Sequence, residues 1–162
     1  MDKDFLTVIG KLSDKLLERG LRLSIAESCT GGFISDAVTN MPGSSRFFDL
    51  GVVGYSEEAK RSVLGISASL LRKHGTVSEE TAVAMAKGVR RLSGSDVSLS
   101  VTGIAGPESI EDKEVGLIYM AVAMEDIEKS QGIRLTGERE EIKKQASLEA
   151  LQFLNQVLRI WL

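Results

Sequence analysis

Apolar residues recur at helical spacing from the start of the chain, at Phe5, Val8, Ile9, Leu12, Leu16 and Leu17. Gly20 follows where a left-handed residue would end a helix. Leu21 to Ile25 then reads as a buried strand, and the amphipathic segment Phe33 to Met41 as a helix that Thr30 can cap and Pro42-Gly43 closes. After a short helical turn at Arg46-Phe47-Phe48, Leu50 to Tyr55 is a β-branched stretch that predicts a second strand. Ser56-Glu57-Glu58 and Ser78-Glu79-Glu80 repeat one device, a hydroxyl followed by two acids, which suits the positive end of a helix. Ser67 to Lys73 is a shorter helix between them, closed at His74-Gly75.

Val97 to Val101, Val115 to Met124 and Ser130 to Leu135 predict three further strands, joined by turns that make part of the sheet antiparallel. A final helix starts near Gly137 and carries Ala146, Ala150, Phe153, Leu154, Val157, Leu158 and Trp161 on one stripe. Strands interleaved with helices give an α/β class, a three-layer α/β/α sandwich with a mixed, mostly parallel sheet of about five strands.

Length and charge narrow the picture. The 162 residues suit one domain over 1–162, since a chain of this size buries on the order of 70% of its unfolded surface. A net charge of −3 with scattered basic residues provides no nucleic-acid stripe. No apolar run approaches the ~20 residues that cross a bilayer. One cysteine, Cys29, excludes an internal disulfide framework, and the N-terminus lacks a basic-then-apolar leader. Together these features lead us to expect a cytoplasmic protein with neither nucleic acid nor membrane as partner.

Ligands of open α/β sheets gather beyond the carboxyl ends of parallel strands. There the chain places Glu27, Ser28, Cys29 and Thr30 with Gly31-Gly32, then Tyr55 and Ser56 with Lys60 one helical turn later, then Thr102, Gly103 and Gly106. Ser44-Ser45 precedes the second strand. The only histidine, His74, sits beside a glycine at a helix end, which argues against a Ser-His-Asp triad. A lysine whose pKa falls on burial can serve as base instead, and Ser45, Lys60 and Tyr55 supply such a set. Each residue also has a plainer reading: Ser28 and Thr30 as helix caps, Lys60 as a solvated helix residue, Tyr55 as a strand end, Cys29 as a small buried hydrophobe. No cluster has metal-ligand spacing, and Ala105-Gly106-Pro107 shows neither Walker nor dinucleotide-binding spacing.

The chain resembles the CinA C-terminal domain family, whose stand-alone members include nicotinamide mononucleotide deamidases. The resemblance rests on AESCTGG at Ala26 to Gly32, PGSSRFF at Pro42 to Phe48, GVVGYSEEAK at Gly51 to Lys60, HGTVSEE at His74 to Glu80 and TGIAGP at Thr102 to Pro107. It implies hydrolysis of nicotinamide mononucleotide to the acid mononucleotide and ammonia, with no metal or other cofactor, in a homo-oligomer. Carried over by position, Ser45 would be the nucleophile, Lys60 its base and Tyr55 a proton relay. Ser28, Thr30, Gly31, Gly32, Thr102, Gly103 and Arg139 would line the substrate site. The phosphate would sit at the helix start near Thr30 to Gly32 or against Arg139.

Two departures stand out. Glu108 to Glu114 replaces a glycine-rich loop with an acidic one, and Gly54 replaces a small hydroxyl residue before Tyr55. Two other functions compete with the Ser-Lys reading: Cys29 as nucleophile with Glu27 and Lys60, or a nucleotide-binding or interaction domain with little turnover.

Overall fold

The computed structural model describes residues 2–162. The element order is α1 (Lys3–Arg19), β1 (Leu23–Glu27), α2 (Phe33–Thr39), a 3-10 turn (Ser44–Arg46), β2 (Phe48–Val53), α3 (Glu57–Ser62), α4 (Ala68–His74), α5 (Glu79–Ser93), β3 (Val97–Gly103), β4 (Leu117–Ala123), β5 (Glu128–Arg134) and α6 (Arg139–Trp161). The five strands form one sheet in the order β2-β1-β3-β4-β5. β2, β1 and β3 are parallel neighbours, whereas β4 is antiparallel to both β3 and β5. Four strands therefore point one way and β4 alone is reversed, which gives the expected mixed sheet.

Alternation along the strands sorts side chains onto two faces. Leu23 and Ile25 of β1, Val97, Leu99 and Val101 of β3, and Ile118, Met120 and Val122 of β4 meet Phe5, Ile9 and Leu12 of α1, Ile34 and Val38 of α2, and Leu151 and Leu154 of α6 in the larger core. The opposite face is built from small residues. Ser24, Ala26, Ser98, Ser100, Ala121 and Ala123 are all buried there. Ser98 Oγ donates to the Ala86 carbonyl at 2.6 Å and Ser100 Oγ to that of Ala82, so α5 packs close to the sheet while the buried hydroxyls stay satisfied.

Local signals explain most helix ends. Gly20 closes α1 with φ 65°, and the hydroxyls of Ser56, Ser67 and Ser78 accept from backbone N–H groups at the starts of α3, α4 and α5. α6 begins with a reciprocal capping box between Glu138 and Glu141.

Three expectations are corrected. β1 runs to Glu27 rather than ending at Ile25, and β2 ends at Val53 rather than Tyr55. Thr30 does not cap α2: its hydroxyl donates to Glu27 Oε2 at 2.6 Å, and the helix start is held by Glu27 itself. That fully buried carboxylate accepts from the N–H groups of Gly32 and Ile34 on Oε2, both at 3.1 Å, and from Ser35 N and Ser35 Oγ on Oε1, both at 2.8 Å. A buried charge with five donors around it is well compensated, and it fixes the turn between β1 and α2.

A candidate Ser-Lys site at the strand ends

The turn after β1 opens with Ser28, whose N–H donates to the Val101 carbonyl at 3.0 Å and so continues the sheet by one residue. The Gly31 N–H returns to the Ser28 carbonyl at 3.0 Å, and left-handed Gly31 and Gly32, at φ 63° and 97°, let the chain double back into α2. Beside Ser28, the edge strand β2 leads through Gly54 and Tyr55 to the Ser56 cap. α3 then places Lys60 one turn in, pointing back toward the strand ends.

Lys60 is 1% exposed, and its Nζ has three partners: Ser28 Oγ at 2.9 Å, the Gly54 carbonyl at 2.9 Å and the Tyr55 carbonyl at 3.1 Å. Burial holds its pKa below the ordinary lysine value, against the opposing pull of nearby negative groups. The two carbonyls can take both hydrogens of a neutral amine, which leaves the lone pair facing the Ser28 hydroxyl. Among the described residues, the N–H groups of Cys29 and Thr30, directly after that hydroxyl, donate to no backbone carbonyl, and that of Cys29 contacts only its own thiol. Both residues are buried, and such free donors are what a developing oxyanion needs.

A cavity of about 120 Å³ opens against this pair, lined by Ser28, Tyr55, Lys60, Thr102, Gly103 and Arg139 and roofed by Glu108 and Ile110 of the acidic loop. Larger grooves lie elsewhere, one of about 700 Å³ between α4 and α5, but among the described residues the hydrogen-bonded lysine–serine pair is the one at this smaller cavity. Thr102 Oγ1 donates to the Thr76 carbonyl at 2.8 Å. The acidic loop is strapped down on the same segment. Glu111 accepts from Thr76 N at 2.8 Å and Thr76 Oγ1 at 2.6 Å, and Lys113 Nζ donates to the His74 and Val77 carbonyls. Burial works against the Glu111 charge, but these donors prevail and hold its pKa below the ordinary carboxylate value.

The expected residues separate under this geometry. Tyr55 and Arg139 come together at the mouth, where Arg139 Nη2 donates to Tyr55 Oη at 2.9 Å and Arg139 Nη1 to the Gly106 carbonyl. Thr102 and Gly103 line the wall. Thr30, Gly31 and Gly32 are turn residues: the Thr30 hydroxyl and the Gly32 N–H are taken by Glu27, and the Gly31 N–H by Ser28. The start of α2 is therefore closed to a phosphate.

Ser45 is not brought to Lys60. It lies exposed in the 3-10 turn before β2, near Arg22, whose Nη1 donates to the Arg46 carbonyl at 3.0 Å. β2 begins beside Leu23, the first residue of β1, whereas Ser28 and Lys60 follow the opposite ends of the same strands. Five strand residues at about 3.3 Å each put roughly 16 Å between the two ends. The serine that meets the lysine within this chain is Ser28. Cys29 is 6% exposed, and burial first, then the Glu27 charge, push its thiol up to about 12, so it is no thiolate near neutrality.

The fold and site together define an α/β sandwich carrying a buried Ser-Lys pair beyond the carboxyl ends of parallel strands. The CinA C-terminal domain family profile matches residues 6–158. A CinA-like protein of Syntrophotalea carbinolica is 42% identical over 153 residues, which is 94% of this chain and 37% of that protein. A CinA-like protein of Geobacter sulfurreducens is 44% identical over 142 residues, 87% of this chain and 34% of that protein. A crystal structure of a CinA superfamily protein from Klebsiella pneumoniae superposes with a TM-score of 0.94 at 35% identity, covering 99% of this chain and all of that one. This chain belongs to the CinA C-terminal domain family, and it spans about a third of the length of the curated relatives it matches.

Proposed function

We propose that the domain is a Ser-Lys amidohydrolase acting on the carboxamide of a pyridine mononucleotide, with nicotinamide mononucleotide giving the acid mononucleotide and ammonia. The observation that carries this reading is the 2.9 Å contact between Lys60 Nζ and Ser28 Oγ in a buried pocket. The resemblance of the motifs to the deamidases supplies the substrate class.

In this mechanism neutral Lys60 takes the Ser28 proton as Oγ bonds to the amide carbon. The electron pair of the C=O bond moves onto oxygen, facing the free N–H groups of Cys29 and Thr30. When the oxyanion collapses, the C–N bond breaks and Lys60 gives its proton to the leaving nitrogen, releasing ammonia and leaving an ester on Ser28. Water then loses a proton to Lys60 and adds to the ester carbon. Collapse returns that proton to Ser28 and frees the acid. Tyr55 and Arg139 act at the mouth, outside the bond-breaking step.

An ammonia-release assay over pyridine mononucleotides, dinucleotides and simple amides tests the reading. We expect Ser28→Ala and Lys60→Ala each to lower kcat by about 10³-fold or more, because members of a nucleophile-base unit fail together. Ser45→Ala is expected to retain turnover. Loss of turnover in Ser45→Ala with turnover kept in Ser28→Ala would overturn the assignment.

A further inference from the structure

The Ser28-Lys60 pocket accounts for one end of a mononucleotide and leaves the other unplaced. At about 120 Å³ the cavity is well below the ~300 Å³ at which sites begin to enclose a whole drug-sized ligand. A carboxamide-bearing ring fits inside, and a ribose phosphate attached to it extends beyond the mouth. The start of α2 offers nothing there, because Glu27 holds its N–H groups and places a negative charge beneath them.

At the mouth stands Arg139, in the first turn of α6. Its partners, Tyr55 Oη and the Gly106 carbonyl, are both neutral, so its charge is not cancelled by contact. Lys143 lies four residues further on and shares that helix face. Its ammonium sits over the turn that carries Ser28: a Cβ built on Gly31 would lie 3.5 Å from Lys143 Nζ and 3.9 Å from Cε. Lys143 is half-buried, and among the described residues its ammonium has no hydrogen-bond or ion-pair partner. Glu108 of the acidic loop lines the same cavity as Arg139 and is the acid a bound phosphate would face, whereas the acids of α6 are engaged in the helix cap or exposed. Glu138 and Glu141 cap the helix through each other's backbone, and Glu140 is exposed at the neighbouring helix position.

We infer that Lys143 and Arg139 form a phosphate subsite, two cations one helical turn apart that hold the monoester of a substrate whose carboxamide lies against Ser28. A Cβ on Gly31 would meet the Lys143 ammonium only at ordinary van der Waals distance, so what the turn asks of this position is the left-handed φ of 63° that glycine adopts freely. A lysine serves here as a mobile point charge, while the Arg139 fork, already fixed by Tyr55 and Gly106, orients one oxygen edge. This subsite rests on the amidohydrolase reading for its substrate, but its ligand chemistry, a phosphate monoester on a sugar, can be tested separately.

The kinetic test compares nicotinamide mononucleotide with its dephosphorylated nucleoside in the wild type, Lys143→Gln and Lys143→Arg. We expect Lys143→Gln to raise KM for the mononucleotide about tenfold or more with little change in kcat, the size of one lost charge-assisted contact, and to leave the nucleoside unaffected. Lys143→Arg is expected to restore most of the affinity. Equal losses on both substrates, or unchanged KM for the mononucleotide, would overturn the subsite. Calorimetric titration with ribose 5-phosphate gives an independent readout. Binding by the wild type that weakens about tenfold in Lys143→Gln supports the subsite even if no amide is hydrolysed, in which case only the amidohydrolase reading falls. Absence of ribose 5-phosphate binding to the wild type counts against the subsite. Matching thermal melts of wild type and Lys143→Gln would exclude misfolding as the cause of any loss.

Discussion

Single side chains here take their roles from burial as much as from chemical type. Cys29 carries the most nucleophilic atom of its turn, yet its thiol is held protonated by a buried setting and the Glu27 charge beside it. We expect native protein to resist alkylation by iodoacetamide at neutral pH and to react readily once unfolded, with Cys29→Ala keeping ammonia release. Fast alkylation of the native thiol coupled to loss of turnover would restore the thiol as nucleophile. Ser28 is a chemically weaker group, and what distinguishes it is the lysine 2.9 Å away. The motif Ala26 to Gly32 was legible in the sequence as a site-building turn. Which of its hydroxyls meets a base was not, because that depends on where α3 lies in space.

At the scale of elements, the device joining chemistry to fold is the turn from β1 to α2, in which one buried carboxylate stands in for a helix cap. Replacing Glu27 with Gln keeps the shape but sets an amide NH₂ against donors. We expect a loss of about 2 kcal/mol or more in unfolding free energy, measured by urea denaturation. α5 makes a different demand. A Cβ on Gly88 would lie 2.2 Å from the Leu64 carbonyl oxygen. Gly88→Ala should therefore destabilise by about 1–3 kcal/mol despite the better helix propensity of alanine, since the helix must back away from the loop after α3. An unchanged or raised midpoint would show that the contact relaxes freely. The helix starts at Ser56 and Ser78 and the stop at Gly20 were readable because caps act within four residues. Thr30 has the residue type and position of an α2 cap, but the acceptor that holds this helix start, Glu27, belongs to the preceding strand and lies outside the reach of a local signal.

For the whole molecule, the buried lysine links activity and stability to pH. Because burial lowers the Lys60 pKa from 10.5, the neutral base becomes available below the range of an exposed lysine, and kcat/KM should rise with pH through that depressed value. Glu57 is among the charges that oppose the shift, so Glu57→Gln should move the rising limb to lower pH. A limb unmoved by it and centred at the ordinary lysine value would speak against Lys60 as the base. Stability follows the same sign. Between the folded value and 10.5 the unfolded chain binds the extra proton, so the folded state gains with rising pH. Below the folded value the charged amine is buried and that gain is lost. The difference in unfolding free energy between wild type and Lys60→Met should therefore shift in favour of wild type as pH climbs through this window.

The sequence by itself determined the α/β layering, the five strands to within a few residues and the motifs that place the chain in its family. These are written in periodicities and caps that act over a few positions. Only the tertiary structure decided the pairing of functional groups. β1 and β2 run parallel, so residues before β2 and residues after it lie at opposite ends of the sheet. That single geometric fact separates Ser45 from Lys60 and delivers Ser28 to it. Lys143 drew no notice in the sequence, because only the approach of α6 to Gly31 brings its charge over the site. A signal was nonetheless present in the pattern: two basic residues four apart at the start of the last helix, and a glycine in the turn they cover.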